Sequence, residues 1–192
     1  MTRLSNTRTR LAAASALALA VVGVAAPSAG ATAASATLTA GSLGFVSAPS
    51  AVTFPSTPLT GLNQTLTAPQ TIDIGDATGS GAGWNITATS TTFTSGANTL
   101  PTSSTTIASA PSTPTCDSNS TCLAATAAVG VTYPYSLPAA TTAPTATKMF
   151  SATAGTGLGD QTLSPTWSLA VPSKAVAGAY TSTWTLSLVS GP

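Results

Sequence analysis

The run at residues 180–188 constrains the fold more than any other feature of the chain. Tyr180, Ser182, Trp184, Leu186 and Leu188 fall on one side of it, and Thr181, Thr183, Thr185 and Ser187 on the other. A period of two sets one row against a core and the other in water, as in a half-buried β-strand. The rhythm recurs at Ile72 and Ile74, at Trp84, Ile86 and Ala88, at Val129, Val131 and Tyr133, and at Trp167, Leu169 and Val171. Turn-forming stretches rich in Gly, Pro, Ser or Asn separate these runs at residues 75–83, 95–98, 155–159 and 172–178. Further strands are expected near residues 36–39, 43–46, 64–66 and 148–152, and a long loop over 100–125. Beyond the N-terminal segment, Pro, Gly, Ser and Thr interrupt every apolar window, so no helix of useful length is expected. Short strands at regular spacing predict an all-β fold, a single antiparallel β-sandwich or barrel-like domain.

The N-terminus has a different character. Arg3, Arg8 and Arg10, with no acid among them, precede an apolar run at 11–26 that is broken by Pro27 and followed by Ala31-Thr32-Ala33. This is the pattern of a secretory signal peptide. Cleavage is expected after Ala33, with Ala29-Gly30-Ala31 and Ala34-Ser35-Ala36 as alternative sites. The run is shorter than the ~18 to 20 residues a helix needs to cross a bilayer, so no transmembrane anchor is expected. The chain therefore divides into a signal peptide at 1–33 and a β domain at 34–192, secreted to the cell surface or beyond. Leu137-Pro138-Ala139-Ala140-Thr141 has its Thr one place too late for a wall-sorting pentapeptide, and no apolar tail follows. Surface retention is expected to be non-covalent.

Removing the signal takes every Arg with it and leaves Lys148 and Lys174 against Asp73, Asp76, Asp117 and Asp160. Two lysines cannot build a basic face for nucleic acid or anionic lipid. There is no His and no Glu, so imidazole chemistry is excluded and acid–base pairs must come from four Asp. Asp73 and Asp76, the closest two, fall on opposite faces of a strand. A turn could gather them with Asp160 around Ca²⁺, but the simpler reading has Asp76 opening the Gly-rich turn and Asp73 facing solvent. No Ser stands three residues before a Lys, and Gly155-Thr156-Gly157-Leu158-Gly159 opens no helix that could hold a phosphate. The expectation is a protein without catalytic activity, cofactor or metal.

Cys116 and Cys122 bracket the polar, turn-forming Asp117-Ser118-Asn119-Ser120-Thr121. In an oxidising compartment they are expected to form a disulfide. Two Cys without His cannot complete a zinc shell.

Three Trp-x-aliphatic triplets stand out: Trp84-Asn85-Ile86, Trp167-Ser168-Leu169 and Trp184-Thr185-Leu186. Positions i and i+2 of a strand share a face, so at least two of the triplets read as core anchors. Their contexts carry more. Gly79-Ser80-Gly81-Ala82-Gly83-Trp84-Asn85-Ile86 resembles the first motif of the WxL domain, a module of Gram-positive surface proteins. Ala177-Gly178-Ala179-Tyr180-Thr181-Ser182-Thr183-Trp184-Thr185-Leu186 looks like its distal motif. Lys148-Met149-Phe150-Ser151-Ala152, Thr156-Gly157-Leu158-Gly159-Asp160 and the Gly191-Pro192 ending are similar to the actinobacterial branch, while Ile86 stands where the first motif has Leu.

The resemblance implies a β-rich domain that attaches non-covalently to cell-wall peptidoglycan or an attached glycan, often beside other surface proteins. The motif residues it marks as candidate wall contacts are Trp84, Ile86, Tyr180, Trp184 and Leu186. The alternative is a structural or adhesion subunit that binds another protein instead of the wall. Trp184, at the middle of the most regular strand, is expected in the core. Trp84, at a strand mouth behind glycines, is the better placed of the two to touch a ligand, although core packing is the expected role for it as well.

Overall fold

Period-two alternation becomes fourteen strands and no helix among the described residues. The structure is a computed structural model, and it describes residues 33–192; the expected signal, apart from Ala33, lies outside the described residues. The strands are β1 (Leu43–Phe45), β2 (Gln64–Pro69), β3 (Ile72–Asp76), β4 (Trp84–Thr91), β5 (Thr94–Ser95), β6 (Asn98–Thr99), β7 (Thr105–Ile107), β8 (Thr115–Cys116), β9 (Tyr135–Ser136), β10 (Ala139–Ala140), β11 (Thr147–Ala152), β12 (Gly159–Leu163), β13 (Thr166–Val171) and β14 (Trp184–Ser190). Residues Leu38–Pro192 form one compact unit. None of the described residues lies in a helix long and apolar enough to cross a membrane.

One sheet has the order β1-β3-β12-β8 and a second the order β2-β13-β7-β9. In the third, β4 is central, flanked by β14 on one edge and by β11 and β10 on the other. The β5–β6 hairpin stands apart. Pairing is antiparallel except for β10 with β4. The arrangement is sandwich-like, because the three larger sheets turn their apolar faces to a shared core. Ile72, Ile74 and Leu163 come from the first sheet, Ile107, Tyr135 and Trp167 from the second, and Trp84, Ile86, Met149 and Phe150 from the third. Alternation decides these contributions: β3 buries positions 72, 74 and 76, and β13 buries 167, 169 and 171.

Three sequence expectations need correction. Residues 36–39 form no strand and are exposed, since nothing pairs with them. The 129–133 run is not a strand either: Gly130 takes φ +116° and Val129 is fully exposed, and the strand starts two residues later at Tyr135. The predicted loop at 100–125 holds β7 and β8, and it buries Leu100, Ile107 and Ala125.

The disulfide between Cys116 and Cys122 is formed, with Cα atoms 5.4 Å apart. It closes a turn in which Asn119 takes φ 72°, a left-handed conformation that Asn tolerates better than most residues. Through β8 this turn is tied to β12.

Candidate functional site

Of the five motif residues, Trp84 and Ile86 lie in the core, both at 0% exposure. The glycine-rich segments around Trp84 close over its ring. Its indole N–H donates to the Gly157 carbonyl at 2.9 Å, and its ring centroid is 5.7 Å from that of Phe150. A Cβ on Gly157, which has φ +81°, would stand 2.5 Å from Trp84 Nε1, so only glycine allows this approach. Gly83 (φ +74°) likewise faces the Ala152 carbonyl at 2.5 Å from where a Cβ would lie. The glycines expected to leave the ring open are the residues that let the chain seal it. Neither Trp84 nor Ile86 can touch a ligand in the folded protein.

Tyr180, Trp184 and Leu186 come together on the wall of an open groove. The predicted alternation holds here: Trp184, Leu186 and Leu188 are half-buried while Thr185 and Ser187 are exposed. The backbone ladder to β4 also continues past the strand, through Thr91 N–H to the Thr183 carbonyl and a reciprocal pair between Thr94 and Thr181. What the sequence does not reveal is the opposite wall. Residues 49–59 form a proline-punctuated strap, held by Ser50 N–H donating to the Thr71 carbonyl and Thr71 N–H donating to Ser50 Oγ. Gln70, buried at 4% exposure, ties this strap to the core: its Nε2 donates to the Ser50 carbonyl while its Oε1 accepts from Trp167 Nε1 at 2.8 Å.

Between strap and β14 lies a cavity of about 1080 Å³, floored by Leu66, Phe93 and Val171 and walled by Phe54, Tyr180 and Trp184. Leu59 and Val176 on its lining are 42% and 53% exposed, so it opens to solvent. Its aromatic rings continue into the core as a chain of edge contacts: Phe54 to Phe93 at 6.2 Å, Phe93 to Trp184 at 6.4 Å, Trp184 to Trp167 at 4.8 Å and Trp167 to Tyr135 at 6.3 Å. The Tyr180 hydroxyl donates to the Val176 carbonyl, which orients the ring. Unlike the indoles of Trp84 and Trp167, that of Trp184 has no hydrogen-bond partner among the described residues. Phe54 and Phe93 were not singled out by motif. The available signal was scarcity, because in a chain only 5% aromatic each ring marks buried or functional surface.

No charged side chain lines the groove. Lys174 stands in an adjoining hollow of about 330 Å³ that shares Leu100, Ala175, Val176 and Tyr180 with it. The carboxylates sit elsewhere. Asp76 is buried, and its Oδ1 accepts from the Thr78 backbone N–H at 3.0 Å and hydroxyl at 2.6 Å, which opens the glycine turn as expected. Asp73, Asp117 and Asp160 neighbour one another on the outer face of the first sheet, since Gln161 between Asp160 and Thr162 points inward at 0% exposure. Partial burial, then the Asp117 and Asp160 carboxyls, raise the Asp73 pKa, a shift that Ser47 partly offsets. Burial, and secondarily Tyr135, pushes the Tyr133 phenol up to about 12, so it holds its proton at neutral pH. Among the described residues no cluster of three or more His, Cys, Asp or Glu is arranged to hold a metal ion.

The arrangement can therefore stack and offer hydroxyls and backbone amides, with no carboxylate or amine inside it. No family model matches the chain, and neither a curated protein nor a solved structure matches it.

Proposed function

We propose that the chain is an exported, non-catalytic cell-surface protein that attaches non-covalently to the cell wall, and that the groove of Tyr180, Trp184 and Leu186 receives the glycan of peptidoglycan or a polymer attached to it. The observation that carries this reading is the pairing of half-open aromatic rings with an uncharged, hydroxyl-rich lining. Sugar rings present C–H faces that stack on aromatics and hydroxyls that pair with Ser, Thr and backbone groups, without a charged partner. The basic, apolar N-terminus supports export, the disulfide is compatible with an oxidising destination, and the resemblance of the distal motif to the WxL domain falls on the same three residues. A structural or adhesion subunit that binds another protein is the second reading, favoured by the outer edge of β14, which pairs with no strand among the described residues.

Co-sedimentation with insoluble sacculi, with and without their covalently attached polymers, tests the first reading. Tyr180→Ala removes a stacking partner from the groove wall, and retention should fall about three- to tenfold, as loss of one aromatic contact predicts. Trp84→Phe should leave the retention of folded protein unchanged. If Tyr180→Ala and Trp184→Leu both stay folded and pellet like the parent, the groove is not the wall site.

A further inference from the structure

Among the described residues the outer edge of β14 carries no ladder, and its direction can be read from the pairing with β4. The Thr183 carbonyl accepts from Thr91 and Gly191 N–H donates to the Gly83 carbonyl, so the odd-numbered residues of this run turn their backbone groups toward β4. In an antiparallel pair these directions alternate, so the N–H and C=O groups of Trp184, Leu186 and Leu188 point off the other edge. Among the described residues β14 pairs only with β4; β1 lies close to β14, but no ladder joins them. The groove runs along this edge at Trp184, Thr185 and Leu186. An unpaired strand edge beside an apolar hollow is a template for one more strand.

The chain also carries a strand-patterned segment without a partner. Residues 34–40 alternate Ala34, Ala36, Leu38 and Ala40 with Ser35, Thr37 and Thr39, yet all are exposed and none is in a strand. Leu38 is 94% exposed, an unusual position for a large apolar side chain in an otherwise regular pattern. Like the groove lining, the segment has no charge, so neither would bury an unpaired ion on docking. In its own chain Leu38 does not fill the groove: it is absent from the groove lining and stays exposed.

We propose that the segment around Leu38 of one copy adds as a strand to the free edge of β14 in a second copy and packs Leu38 into its groove. The contact is head-to-tail, since donor and acceptor surfaces differ, and it propagates into a ring or a filament. It goes beyond the wall reading and does not depend on it; if both hold, the neighbour's segment and the wall ligand compete for one groove.

Sedimentation velocity of the purified protein over a concentration series tests this, with tryptophan emission as a second readout. Trp84 and Trp167 are fully buried and Trp184 is half-buried, so association at the groove should blue-shift the emission as the protein is concentrated. Leu38→Lys, at an exposed position, should leave the fold intact, weaken association at least about tenfold and abolish the emission shift, because the groove has no partner for an ammonium. A peptide of residues 34–42 added in trans should dissociate the parent assembly. A protein that stays monomeric at every concentration, or a Leu38→Lys variant that associates as the parent does, overturns the proposal. Sacculus binding is scored separately: its loss with self-association intact removes only the wall reading, and the reverse result removes only this one.

Discussion

Trp84 and Trp184 occupy the same place in similar triplets and meet opposite fates. Trp84 is enclosed by Phe150, the Gly157 carbonyl and the glycine turns, with its indole N–H satisfied. Trp184 lies one strand away on β14, packs one edge on Trp167 and turns the rest toward the groove. The difference arises from what covers each strand. Glycines let backbone descend onto the first ring, whereas a proline-rich strap stands off from the second and leaves space between. Exposure of an anchor residue is thus set by the segment packed over it as much as by its own strand.

The largest test of the contrast is truncation at each site. Trp84→Ala removes a fully buried indole and orphans the Gly157 carbonyl, and should cost about 3–5 kcal/mol, enough to unfold a domain of ordinary stability. Trp184→Ala removes a half-buried ring and should cost about half as much, leaving a folded protein with impaired groove binding. Urea denaturation of the two variants measures both. Equal costs would mean the groove closes around Trp184 in solution, and the contrast would fail.

Smaller effects should follow at the closure over Trp84. The Cys116–Cys122 turn backs that closure: Gly157 N–H donates to the Leu123 carbonyl, and a Cβ on Gly159 would meet Cys122 at 3.0 Å. Replacing both cysteines by Ser should cost about 2.4 kcal/mol, the loop-closure entropy of a seven-residue ring. Gly157→Ala should cost about 1–3 kcal/mol, from a positive φ and a collision with the indole, and should red-shift tryptophan emission as the closure lifts. A Gly157→Ala protein with parental stability and emission would show that the ring is not held by this contact.

The sequence carried the strands better than it carried the site. β13 and β14 were legible because each alternates over several residues and buries one row; the Trp84 strand alternates in sequence as well, although as the central strand of its sheet it buries both rows. The 129–133 run alternates equally well but pairs with no strand among the described residues; Tyr133 packs half-buried against the core, and only at the following Tyr135 does a strand begin, where its hydroxyl meets Thr147. The motif carried Tyr180, Trp184 and Leu186 to one wall of the groove, because a shared strand face is local information. The strap, Phe93 and Leu66 are contributed from far along the chain, and no local pattern states which strand a proline-rich segment will cross. The same limit reversed the order of the two tryptophans: glycines before Trp84 read as an opening, while the closing partner, Gly157, lies 73 residues away.

The smallest expected effect concerns charge, and it separates both tryptophan regions from the outer face of the first sheet. The Asp73 carboxyl is raised from its ordinary value of 3.8 by partial burial first, then by Asp117 and Asp160. A raised acid binds its proton more tightly in the folded chain than in the unfolded one. Its contribution to stability is therefore fully present below the unfolded value of 3.8 and is lost as pH rises through the higher folded value. The protein should melt higher near pH 4 than near neutrality as far as this group governs, and Asp73→Asn should flatten that slope and raise the neutral melting temperature. Since no carboxylate and no lysine lines the groove, sacculus retention by folded protein should stay level over the same range. An unchanged slope in Asp73→Asn would remove Asp73 as its source, and retention that titrates in parallel would tie the acidic face to the groove and end the separation between them.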